Sequence, residues 1–90
     1  SAGDATFFLS AMFGMFKYFE LMFVQHKEGS INNESWTAWS QHILMYFHQP
    51  GVQSWWTLRR GAFIQSFQQY LESSVPPEMR SMAELLRRST

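Results

Sequence analysis

Residues 5–27 read ATFFLSAMFGMFKYFELMFVQHK, and this stretch decides the fold. From Phe7 to Val24 apolar side chains fall on almost every face of a helix, and no alternation of period two survives, so a strand is excluded. Asp4 is placed to cap the amino end and Gly29 to close the carboxyl end in a left-handed conformation, which predicts helix 1 over about 5–27. About twenty apolar residues suffice to cross a bilayer. Lys17 and Glu20, near the middle, argue against that reading, because a charge at the bilayer centre costs about 3 kcal/mol. A helix that is apolar nearly all round must instead be covered on several sides, by the rest of its own chain or by a second copy. Ser10, Lys17 and Gln25 trace one narrow strip expected to face water. Phe8, Met12, Met15, Phe19, Met22 and His26 follow a four-three spacing expected to form a packing seam.

Outward from that helix, Ser30 to Asn33 is a polar turn, and Asn32 is a candidate cap for helix 2 over about 33–48, with Glu34 in its first turn favouring the dipole. Its expected core face carries Trp36, Trp39, Ile43, Tyr46 and Phe47, with Leu44 alongside. Pro50 cannot continue helix 2, yet its fixed φ suits the first turn of helix 3, so a sharp corner is expected at Pro50-Gly51. Helix 3, about 50–60, directs Val52, Trp55 and Trp56 inward. Gly61 weakens a helix by roughly 1 kcal/mol against Ala, which predicts a break before helix 4 at about 64–73; one helix running on to Ser73 is the alternative. Helix 4 buries Phe67, Tyr70 and Leu71 beside Phe63. Val75-Pro76-Pro77 reads as a stiff linker into helix 5, about 77–88, with Met79, Met82, Leu85 and Leu86 as its apolar edge and Arg87 and Arg88 suiting its C-terminal dipole.

Bulk properties bound the rest. Ninety residues make one domain with one core, and an aromatic share of 18% means that much of this core must be rings. The formal net charge is zero, so no long-range field gathers nucleic acid, and no nucleic-acid partner is expected. The absence of cysteine excludes disulfides, thiolate metal sites and thiol nucleophiles. The chain opens Ser1-Ala2-Gly3 without an initiator Met, which predicts a processed or trimmed amino terminus.

Tyr18-Phe19-Glu20, Gly29, Trp36, Pro50-Gly51-Val52, Trp55-Trp56, Arg59-Arg60, Phe63 and Phe67 together resemble an uncharacterised bacterial family of short helical domains. The resemblance covers roughly residues 12 to 72, and its most specific part is the Pro-Gly-Val-x-x-Trp-Trp-x-x-Arg-Arg segment. It departs at Ile64-Gln65, where the family pattern often has Ser-Pro, and helix 5 lies outside it. In that family the domain commonly follows an N-terminal transmembrane helix, and no catalytic residue is established. The resemblance therefore implies a membrane tether ahead of Ser1, with this domain as the soluble part at a bacterial inner membrane.

Five residues are candidates for a site, structural or ligand-binding. Glu20, on an apolar stretch, must be neutralised, paired or hydrogen-bonded; an ion pair with Lys17, Arg59 or Arg60 is a commoner fate than general base or metal ligand. Arg59 and Arg60 offer forked donors to an anion. Their spacing of four from Trp55 and Trp56 equally predicts stacking on the indoles, worth about 0.5 to 2 kcal/mol. His26, His42 and His48 lack the spacing that puts two imidazoles on one helix face, so no metal is expected. No Gly-rich cradle or nucleophile elbow frames the Ser, His and acid residues, so no catalytic residue and no cofactor is expected.

The expectation is thus an all-α domain, a compact bundle of four to five helices. It acts without catalysis as an interaction domain, a homo-oligomer through helix 1, tethered to a membrane. The alternative is a binding module for a small amphipathic or anionic ligand.

Overall fold

In the computed structural model, which describes residues 2–76 and 85–88, the chain is all-α. Helix α1 spans Ala2–Lys27, α2 Asn33–Phe47, α3 Pro50–Arg59 and α4 Gln65–Glu72, with a 3-10 turn at Arg60–Ala62 between the last two. The helix expected over about 77–88 lies mostly outside the described residues; of it, residues 85–88 are helical and exposed.

The ends of the helices follow from local chemistry. Helix α1 begins at Ala2, earlier than expected, so Asp4 sits within its first turn as a favourable charge at the positive dipole end, and not at the cap. At the other end Gly29 adopts φ 81°, where a side chain would be strained. There the Ser30 N–H donates to the Gln25 carbonyl at 2.8 Å and the Gly29 N–H to the His26 carbonyl at 3.0 Å, the paired bonds of a Schellman closure. Asn32 caps α2, its Oδ1 accepting the Ser35 N–H at 2.8 Å.

Pro50 opens α3 in its first turn, and the side chain of Gln53 donates to the Phe47 carbonyl at 2.6 Å, satisfying an acceptor that the corner strands at the end of α2. The break expected near Gly61 is present. After the 3-10 turn, Phe63 and Ile64 are extended (ψ 154° and 149°), so α3 and α4 are separate helices.

The core forms where α1 lies across the other helices. Phe16, Phe19, Ile43, Phe67 and Leu71 are the largest fully buried side chains. Trp55 and Trp56 from α3 close over them, with Phe16 5.2 Å from the Trp55 ring and Phe63 5.0 Å from the Trp56 ring. Tilted and edge-on ring pairs of this kind contribute beyond the area they bury. On α2 the inward residues are Ile43, Leu44 and Phe47. Tyr46, expected inside, is exposed, and Trp36 and Trp39 are half-buried: a stripe of whole-ring width would have needed more cover than one neighbouring helix supplies.

Candidate functional site

Helix α1 divides into two regions. From Met12 onward its inner face, Met12, Phe16, Phe19, Met22 and Phe23, is buried against the bundle. Before Met12 no described side chain of the helix is buried: Phe7 is 77% exposed, Phe8 60% and Leu9 44%. At 1.5 Å per residue, this amino-terminal segment projects by about 15 Å. Within the packed region, the residues that α1 turns to solvent before Lys27 are Gly14, Tyr18 and Leu21. A surface helix ordinarily shows charged and polar side chains there.

Residues Gly3–Lys27 form a helix long and apolar enough to cross a membrane, with mean hydropathy 1.5 in its most apolar window, and only 22% of that window is buried. The domain's own core therefore uses a small part of the apolar surface that this helix carries.

Where the projecting segment meets the bundle, an apolar groove of about 440 Å³ opens. Phe8, Met12 and Met15 form its α1 wall, Tyr46 stands at the end of α2, and Gly51 and Val52 form the floor from the corner into α3. The groove exists because Pro50 turns the chain here and Gly51 brings no side chain to fill the angle.

The five residues singled out from the sequence do not converge on it. Glu20 pairs with Lys17 at 3.0 Å, and its second carboxylate oxygen accepts the Ile64 N–H at 2.7 Å. Lys17 in turn donates to the Ala62 carbonyl at 2.7 Å and lies 4.7 Å from the centre of the Phe63 ring. Two neighbouring turns of α1 thus grip the backbone on both sides of Phe63, at the point where α3 has ended and α4 has yet to begin. Lys17 was expected in a strip facing water; the free carbonyl of the broken helix and the ring face of Phe63 draw it inward instead.

Trp55 and Trp56 are buried core residues. The expected stacking of Arg59 and Arg60 on them is not formed. Arg60 donates from Nε and a terminal nitrogen to the two carboxylate oxygens of Glu72, at 2.7 and 2.8 Å, and the Trp56 indole N–H donates to the same carboxylate at 2.8 Å. A forked salt bridge that also satisfies the indole donor outweighs a ring-face contact. The hydrogen bonds from Arg60 hold the Glu72 carboxyl below its ordinary range, against the opposing effect of partial burial and helped by the Trp56 donor. The same pair raises the Arg60 guanidinium. Arg59 is exposed, and neither arginine lines the groove.

The histidines occupy separate settings. His26 stacks on Trp36 with ring centres 4.6 Å apart, His42 meets the Tyr46 ring at 4.9 Å, and His48 shares a 2.8 Å hydrogen bond with Ser74. Among the described residues no group of three His, Asp or Glu side chains is close enough to hold a metal ion.

Sequence reasoning missed two features. The part played by Glu72 depends on a partner twelve residues away, and no local pattern marks it. The division of α1 was partly visible, since its apolar residues outnumber what one face can bury, but which of them stay outside depends on where the other helices reach. No protein-family model matches the chain, and comparison with curated proteins and with solved structures finds no match either.

Proposed function

We propose that this chain is a non-enzymatic helical interaction domain that self-associates through α1, tethered to a membrane in the bacterial protein that it resembles. The supporting observation is the outer face of α1: Phe7, Tyr18 and Leu21 are all more than 40% exposed on a helix whose other side is core. Scattered apolar residues are normal on a surface, but a contiguous run along one helix marks a binding face. Four of the five candidate residues serve this reading as scaffold: Trp55 and Trp56 in the core, Glu20 with Lys17, and Arg60 with Glu72 hold the bundle that presents α1, while Arg59 is exposed. Sedimentation velocity on Leu21→Glu tests it. The expected outcome is a monomer at concentrations where the unaltered chain is associated; equal sedimentation of the two chains overturns the proposal.

A second reading rests on the groove. Its volume lies within the ordinary range for small-molecule sites, about 300 to 1,000 Å³, and its apolar walls suit the tail of a small amphipathic molecule. The arginines take no part in this reading. Titration with dodecanoic acid, followed by the emission of the protein's tryptophans, tests it: saturable binding lost in Val52→Trp supports it, and a linear, non-saturating response counts against it.

A further inference from the structure

The groove between α1 and the corner that opens α3 has a chemistry as well as a size. Phe8, Met12 and Met15 on one side and Val52 on the other give it apolar walls, and no charged side chain lines it. Its two polar members, Tyr46 and Gln49, lie three positions apart where α2 ends. The Gln49 N–H donates to the Tyr46 carbonyl at 3.2 Å, so a single turn of chain carries both. The fold does not consume their polar atoms. Among the described residues the Tyr46 hydroxyl makes no hydrogen bond. Gln49 precedes α3 without a side-chain capping bond, and its amide nitrogen donates to the Met45 carbonyl at 3.3 Å, which leaves Oε1 as an acceptor.

Resting on the reading of this groove as a site for a small amphipathic molecule, we infer that it takes an alkyl chain with an uncharged hydroxyl head. The tail lies along Phe8, Met12, Met15 and Val52, and the hydroxyl accepts from the Tyr46 O–H while donating to Gln49 Oε1. From Phe8 to Met15 that wall is about 10 Å long at 1.5 Å per residue, which suits a medium-length chain. A hydroxyl is donor and acceptor in one, so it answers both groups together.

Charged heads fit less well. A carboxylate only accepts hydrogen bonds, and in this groove no cation offsets the water it gives up. Lys17 is drawn to Glu20 and to the Ala62 carbonyl, and Arg60 is drawn to Glu72. Asp4, one turn ahead of Phe8, adds a negative charge beyond that end of the wall. The amino end of α3 does not replace the missing cation: Pro50 has no N–H, and those of Val52 and Gln53 already donate to the Gln49 carbonyl at 3.0 Å. A quaternary ammonium head neither donates nor accepts, so it leaves Tyr46 and Gln49 unanswered.

Decanol, decanoate and decyltrimethylammonium share one tail and differ in the head, and so separate the head from the groove. Each is titrated below its aggregation concentration at about pH 7.5, where the acid is ionised. Binding is read from tryptophan emission and checked by calorimetry. All three should bind saturably, decanol about tenfold more tightly than either ion, the effect of one or two net hydrogen bonds. Tyr46→Phe should remove most of that preference and leave decyltrimethylammonium unchanged. Gln49→Lys, at an exposed position, should reverse the order in favour of decanoate, a gain that damage to the fold does not produce. Decanoate that binds the unaltered chain as tightly as decanol overturns the inference about the head and leaves the groove as an apolar site, as does a Gln49→Lys chain that keeps the original order. Absence of saturable binding by all three overturns both.

Discussion

Helices α1 and α4 solve the same problem in opposite ways. Helix α4 is short and one-sided: Phe67 and Leu71 are buried, while Gln65, Gln69 and Glu72 face solvent. Its apolar stripe is fully used by the bundle, and its outer face is finished for water. Helix α1 has an equally good inner face but shows Phe7, Tyr18 and Leu21 on its outer one. Within one chain, then, the two helices differ in whether the fold accounts for their apolar residues. α4 is explained by the core alone, and α1 is not.

Substitutions can break that contrast in order of effect. On the inner faces, Phe16→Ala and Phe67→Ala each remove a ring that is 0% exposed, so each should lower unfolding stability by about 3 to 5 kcal/mol in urea titrations. Equal losses would show that the two helices contribute alike to the core despite their different outer faces. Next comes the grip of α1 on the start of α4. Glu20→Ala leaves the Ile64 N–H and Lys17 without the carboxylate, and a loss of about 1 kcal/mol is expected, the usual value of a cap. Glu20→Gln keeps an acceptor and should recover part of it. If both substitutions are neutral, α4 is held by its apolar face alone.

Acid should act on α4 through Glu72. The Glu72 carboxyl is held below its unfolded value of 4.5 by Arg60, so this group adds stability that is complete above that pH and fades as pH falls through the lower folded value. Glu72→Gln should flatten that part of the stability profile below pH 4.5, and an unchanged slope would remove Glu72 as its source. Arg60 gives no matching effect in the accessible range, because its guanidinium, already charged there, is raised further by Glu72. The smallest effect on folding is expected on the outer face of α1. Phe7→Ser and Leu21→Ser should change the unfolding free energy of the dissociated chain by less than about 0.5 kcal/mol. A loss of 2 kcal/mol or more would place these residues in the monomer's core.

Much of this fold was legible in the sequence because its boundaries are set by local chemistry. Asn32, Gly29, Pro50 and Gly61 act on the backbone within one turn of themselves, and each ends or begins an element close to where its chemistry requires. The contacts of charged residues were less legible. Glu20 finds Ile64 forty-four positions away, and Arg60 takes Glu72 in preference to the indoles in its own helix. Those choices depend on which helix ends meet, and the spacing of residues along one helix does not carry that. For the same reason the surplus of apolar residues in α1 could be read, while their division into covered and uncovered required the positions of α2, α3 and α4.

The account turns on that uncovered face, and the mass of the unaltered chain in solution tests it most directly. Light scattering across a concentration series should show a rise from the single-chain 10.6 kDa to a plateau at twice that mass. A mass that stays at 10.6 kDa up to the highest soluble concentration would contradict the account, because the outer residues of α1 would then be exposed without a second copy to cover them.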